Sequence, residues 1–249
     1  MTIPAAALSC AAIALAAAPA CADSFVLVHG AWQGEWAWDA VTPLLEAEGH
    51  AVTAVALKGL GSRAGEASPE IGPEDHIADI LAAIEAAAPP VILVAFSYGG
   101  RPATGAWDRA RDRIAHAVWV EAPAPLSDGG LRADDRSLAF VVMMYPDIAD
   151  TGMMPPPPTA REEPGRPLTP MPLKALYGAI PIAAPLPGET PATYVFAEDS
   201  SLPALRQLGE ALAERRGWTL RSVPGGHDVP TGAPGALAAI LLEVAAATD

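Results

Sequence analysis

Short apolar runs alternate with segments of helical period along most of this chain, and that alternation limits the folds open to it. The runs are Phe25–His29, Ala51–Leu57, Val91–Phe96, Ala115–Val120, Thr193–Ala197 and Thr219–Val223. Between them, a helix is predicted over residues 37–48, with Val41, Leu44 and Leu45 on one face and Gly49 as the stop. A second opens at Pro73, where Ile77, Ile80, Leu81 and Ile84 recur at helical spacing. Others run from Tyr98 to about Arg109, from Pro203 to Arg215 and from about Pro234 to Ala247. Strands and helices in this order imply an α/β fold, a mostly parallel central sheet with helices on both faces. The rhythm breaks over residues 122–190, which hold 14 of the 27 prolines and five of the six methionines. Pro155–Pro158 excludes a helix interior and favours extended chain. A long irregular insertion in a compact domain is usually functional, so a lid is expected there.

Residues 1–22 form a separate unit. Ala5 to Ala20 is rich in Ala, Leu and Ile and carries no charged side chain, and Ala20-Cys21-Ala22 before Asp23 reads as a small-x-small cleavage site. A signal peptide with cleavage after Ala22 is expected, placing the product outside the cytoplasm, secreted or periplasmic. The alternative is a start codon set upstream of a cytoplasmic protein, because the leader has no Lys or Arg before its apolar run. That run is too short and too alanine-rich for a membrane span, so no stable membrane insertion is expected. Residues 23–249 are then one domain. Both cysteines, Cys10 and Cys21, lie in the leader, so the processed chain has no thiol nucleophile, disulfide or thiolate metal site. A formal net charge of −14 argues against nucleic acid as a partner.

The run Val91-Ile-Leu-Val-Ala-Phe-Ser-Tyr-Gly-Gly100 carries the chemistry. A strand runs into Ser97, small residues flank it and a helix follows, which lifts the hydroxyl onto a sharp turn and leaves the next N–H free to hold an oxyanion. The usual pattern is Gly-x-Ser-x-Gly; here Ala95 stands at the first small position. A serine nucleophile needs a base within reach and an acid to orient that base. Asp199 lies just past the strand Thr193–Ala197, and His227 lies in the turn Pro224-Gly-Gly-His227 after the strand Thr219–Val223. Ser97, Asp199 and His227 would meet at the edge of the sheet where open α/β sheets place ligands. Asp199 is the first choice of acid, with Glu121, at the end of the strand after the serine, next. His29 is read as structural, and His50 and His76 as surface residues. The oxyanion donors expected are the backbone N–H of Tyr98 and that of Ala31, with Trp32 the alternative to Ala31. Trp32 and Phe96 are candidates for the substrate pocket.

Phe25-Val-Leu-Val-His-Gly-Ala-Trp-Gln-Gly-Glu-Trp-Ala-Trp, Pro43-Leu-Leu-Glu-Ala-Glu-Gly-His and Leu57-Lys-Gly-Leu-Gly-Ser-Arg resemble the α/β-hydrolase superfamily. The group they resemble most is the bacterial EstC-like esterases, related to plant hydroxynitrile lyases and methylesterases. The resemblance covers the chain after the leader and weakens through the lid. It implies a carboxylesterase that needs no cofactor and no metal, acting on small to medium, partly hydrophobic esters. Two departures stand out: Ala95 for glycine, and Phe96 where histidine is common. Lyases of this group place a lysine beside the catalytic histidine; here Asp228 follows His227, and its charge would oppose a cyanide anion. Hydrolysis of a lactone, an amide or a C–C bond on the same triad remains an alternative, as does a non-catalytic protein that binds ligand in the same pocket.

Overall fold

The computed structural model describes residues 22–126, 130–132, 135–158, 160, 164–182 and 190–248; most of the expected leader, residues 1–21, lies outside them. The central sheet is built from β1 (Ser24–Val28), β2 (Ala51–Val55), β3 (Val91–Phe96) and β4 (Ile114–Val120), and, after the insertion, from Ala192–Ala197 and Thr219–Val223. With a two-stranded hairpin in the insertion taken as β5 (Met153–Met154) and β6 (Met171–Pro172), those last two are β7 and β8. The order across the sheet is β2-β1-β3-β4-β7-β8, and every pairing is parallel. β3, which delivers Ser97, and β4 lie at the centre.

Side chains alternate across the strands, and both sets are apolar because both faces are covered. Val26 and Val28 of β1 join Leu93 and Trp119 on one face, under α2 (Pro73–Ala86) and α3 (Gly100–Arg109). Phe25 and Leu27 join Ile92, Val94, Val118 and Val195 on the other, under α1 (Thr42–Glu46) and the closing helix, Pro234–Ala246. Trp107, Trp119 and Trp218 fill the first face, with ring centroids 5.0, 4.9 and 5.9 Å apart pairwise.

Two expectations about elements are corrected. The helix expected over residues 37–48 is a single turn of 3-10 helix, Glu35–Trp38, followed by the short α1. Pro43 sits in the first turn of α1, where its missing N–H costs nothing, and so marks a new start. The insertion is also less irregular than its prolines suggest. It holds α4 (Asp135–Met144), α5 (Pro146–Thr151), the β5–β6 hairpin and α6 (Leu173–Tyr177). Pro155–Pro158 does lie outside any helix or strand. After it come α7 (Pro203–Arg216), α8 (Val229–Gly232) and α9, the closing helix already described.

Candidate active site

Ser97 follows the last residue of β3 and has φ +49°, left-handed backbone that a non-glycine residue adopts only where its surroundings impose it. The chain then enters a short 3-10 turn, Ser97–Gly99, and α3. This turn is packed hard against the sheet. A Cβ on Gly99 would lie 2.6 Å from the His29 carbonyl oxygen, and one on Gly100 would collide with the Pro123 carbonyl oxygen. The other flank is different. Ala95 sits in regular register between Val28 and Trp119, buried, so its methyl belongs to the core and does not obstruct the turn.

The hydroxyl of Ser97 lies 2.9 Å from Nε2 of His227. On the other side of the imidazole, Nδ1–H donates to Glu121 Oε2 at 3.0 Å. That bond fixes the tautomer, because a proton on Nδ1 leaves Nε2 as the acceptor for the Ser97 O–H. The structure therefore brings Ser97 and His227 together as expected, but puts Glu121 in the place foreseen for Asp199. Asp199 is exposed, and its backbone N–H is tied to the Gly225 carbonyl at 2.9 Å.

The exchange has a physical cause. β4 and β7 both lie between β3 and β8, so the carboxyl ends of both open between the serine turn and the histidine loop, and local geometry decides between them. Glu121 takes φ +47° there, with its N–H held by the Val195 carbonyl at 2.8 Å. Its fully buried carboxylate accepts the Ala197 N–H at 2.9 Å and the Ser200 hydroxyl at 2.6 Å as well as His227. Burial alone would raise the Glu121 pKa. The hydrogen bonds from His227, Ser200 and Ala197 outweigh it and hold the carboxyl below its ordinary value, so it stays ionised. The sequence carried part of a signal: Glu121 directly follows the apolar run Val118-Trp-Val120, and a charge buried at such a strand end needs partners.

The loop after β1 faces the serine. Gly30, Ala31, Trp32, Gln33 and Trp36 line a cavity of about 500 Å³ together with Ser97, Phe96, His227 and Asp228. Pro157, Ala160 and Leu168 of the insertion and Thr231 close the rest. Phe96 packs its ring 5.3 Å from that of His227. Trp38 is buried in the core instead. His29 is buried under this loop, with Nδ1–H donating to the Gly30 carbonyl at 2.9 Å, and burial lowers its pKa to about 4.

Tyr98 is buried, and its hydroxyl donates to Nδ1 of His76 at 2.7 Å while His76 Nε2–H donates to the Lys58 carbonyl at 3.0 Å. His76 is thus a buried residue bracing the serine turn, not the surface residue expected. It stands on the inner face of α2 beside Ile77 and Ile80. Among the described residues no group of three or more His, Cys, Asp or Glu side chains could hold a metal ion.

The family model for the alpha/beta hydrolase family matches residues 25–240. The chain belongs to this family. The α/β-hydrolase is 30% identical over 233 residues to the carbendazim hydrolyzing esterase of Nocardioides sp. (strain SG-4G), covering 86% of this chain and 96% of that one. It is 38% identical over 104 residues to methylesterase 2 of Arabidopsis thaliana, a match confined to 41% of this chain and 40% of the relative. Among solved structures, a methylesterase from Arabidopsis superposes with a TM-score of 0.68 at 23% identity, over 90% of this chain and 98% of that one. An extracellular α/β-hydrolase from a Paenibacillus species gives a TM-score of 0.68 at 19% identity, over 88% and 98%. At these identities the two structures speak for the fold alone.

Proposed function

We propose that this α/β-hydrolase is a serine carboxylesterase working through Ser97, His227 and Glu121. The observation that carries the reading is the unbroken chain of hydrogen bonds from the Ser97 hydroxyl through the imidazole to a buried, ionised carboxylate. As Ser97 Oγ attacks the ester carbonyl carbon, its proton passes to His227 Nε2, and Glu121 stabilises the imidazolium that results. The backbone N–H groups of Tyr98 and of Ala31 serve as donors to the oxyanion. Collapse of the tetrahedral intermediate breaks the bond to the alkoxy oxygen, which leaves as the alcohol with the proton from His227. Water, deprotonated by the same Nε2, then attacks the acyl-enzyme and frees the acid and Ser97.

The cavity suits small to medium, partly hydrophobic esters, since Trp32, Trp36, Phe96, Pro157 and Leu168 supply apolar walls and about 500 Å³ holds a modest ligand. Export belongs to the same reading. Asp23 is buried and its carbonyl accepts the Ala51 N–H at 3.0 Å, so cleavage after Ala22 leaves the pairing of β1 intact. N-terminal sequencing of the exported protein tests this point, and a start other than Asp23 would overturn the assigned cut. For the catalytic reading, a p-nitrophenyl ester series of increasing acyl length is measured on wild type and Ser97→Ala. Turnover confined to wild type supports it; equal turnover by the two removes Ser97 as nucleophile.

A further inference from the structure

Resting on the esterase reading, we propose that Trp32 is a positioning residue through which the insertion sets the geometry of the oxyanion loop. Trp32 has φ +63°, one of three non-glycine residues with positive φ among those described; the other two, Ser97 and Glu121, belong to the proposed triad. A non-glycine residue adopts this conformation against steric resistance and persists in it where neighbouring bonds impose it.

Two hydrogen bonds from distant chain impose it here. The Trp32 indole Nε1–H donates to the Met154 carbonyl at 3.1 Å, and the Thr169 N–H donates to the Trp32 carbonyl at 2.8 Å. Both partners stand at the base of the same hairpin. Met154 is the last residue of β5, paired with Met171, and Thr169 is two residues before β6, with Met171 fully buried. Side chain and main chain of one residue are thus gripped from opposite ends of the stretch 155–168.

The rest of the turn is tied down separately. The Gly30 N–H donates to Gln33 Oε1 at 3.3 Å, the Gly30 carbonyl takes His29 Nδ1–H, and Gln33 Nε2–H reaches Asp228 Oδ1 at 3.4 Å, beside His227. Among the described residues the N–H groups of Ala31 and Trp32 donate to no protein acceptor. Both residues line the cavity that holds Ser97. The clamp therefore fixes the one part of the loop whose donors are left for a ligand oxygen. Loosening it moves those donors relative to the developing negative charge, and that loss falls on the transition state rather than on ground-state binding.

The test is Trp32→Phe, which keeps an aromatic wall and deletes the indole N–H. Steady-state kinetics are measured on p-nitrophenyl acetate and hexanoate, with inhibition by a trifluoromethyl ketone, which forms a tetrahedral adduct. The expected result is a kcat about tenfold lower on both esters, KM within about twofold, and a trifluoromethyl ketone Ki weakened by the same factor. Trp32→His, which restores a ring N–H, should recover part of the loss, and it carries the comparison with wild type if the phenylalanine variant does not fold. Unchanged kcat, or a loss seen in KM or with the hexanoate alone, would reduce Trp32 to a pocket wall and overturn the proposal. Failure of the esterase reading looks different: turnover would then survive in Ser97→Ala, whatever Trp32 does.

Discussion

Replacing Glu121 by glutamine tests the assignment of the acid. The substitution preserves volume and one acceptor oxygen but turns the other into an NH2 group. If the retained oxygen stays on the Ala197 N–H, the new donors face His227 Nδ1 and the Ser200 hydroxyl, which now bond to Oε2 at 3.0 and 2.6 Å. Ser200 can rotate its proton away and accept. The imidazole must shift its proton to Nε2 to accept at Nδ1, and Nε2 then no longer takes the proton of Ser97, 2.9 Å away. A carboxylate-to-amide change at this position of a serine triad costs about 10⁴ in kcat through the wrong tautomer. We therefore expect kcat/KM on p-nitrophenyl acetate to fall by about 10³–10⁴, or about 4–5.5 kcal/mol of transition-state stabilisation. Asp199→Asn, on an exposed residue, should stay within about threefold, since nothing joins its side chain to the imidazole and surface changes away from such networks have small effects. Glu121→Gln with near-normal activity, paired with collapse in Asp199→Asn, would show that Asp199 and not Glu121 orients His227.

Acid should destabilise the fold well before its carboxylates titrate. Burial lowers His29 and His116 to about 4, so the native state binds fewer protons than the unfolded chain between pH 4 and about 6.5. Stability is then level above pH 7 and falls by roughly 3 kcal/mol per histidine as pH drops through that window, measurable by urea unfolding at fixed pH. A flat profile from pH 7 to 4.5 would contradict the burial of these rings. Below pH 4.5 Glu121 adds to the loss, because its native pKa is depressed and protonation removes bonds the folded state has formed. Ala95→Gly should leave kcat within about threefold and cost roughly 1–2 kcal/mol in chemical denaturation, from a lost buried methyl and a freer unfolded backbone; a large gain in kcat would mean that the alanine strains the turn.

The parallel sheet was legible because each strand is an apolar run bounded by turn residues, and β8 was placed to the residue, Thr219–Val223. The meeting of Ser97 with His227 was legible for a related reason: each follows a strand at the same sheet edge, in a sequence that makes a sharp turn possible. The acid was not. β4 and β7 are neighbours ending at that edge, and each is followed by a carboxylate, so chain order allowed either. The choice rests on three-dimensional detail, the left-handed turn at Glu121 and the partners gathered from Ala197 and Ser200. Proline content misled in the insertion, because it is concentrated between short helices and at their starts, as Pro146 in the first turn of α5 illustrates. His76 escaped because one polar residue on an otherwise apolar helix face has the same spacing whether its bonding partner is water or a buried tyrosine.

At the centre stands Ser97 as the nucleophile. Intact-mass spectrometry after treatment with a fluorophosphonate, followed by peptide mapping, tests this role most directly. One phosphonyl adduct per chain is expected, on Ser97, lost in Ser97→Ala and formed far more slowly in Glu121→Gln. A folded protein that stays unmodified, or an adduct mapped to another residue, would contradict that role.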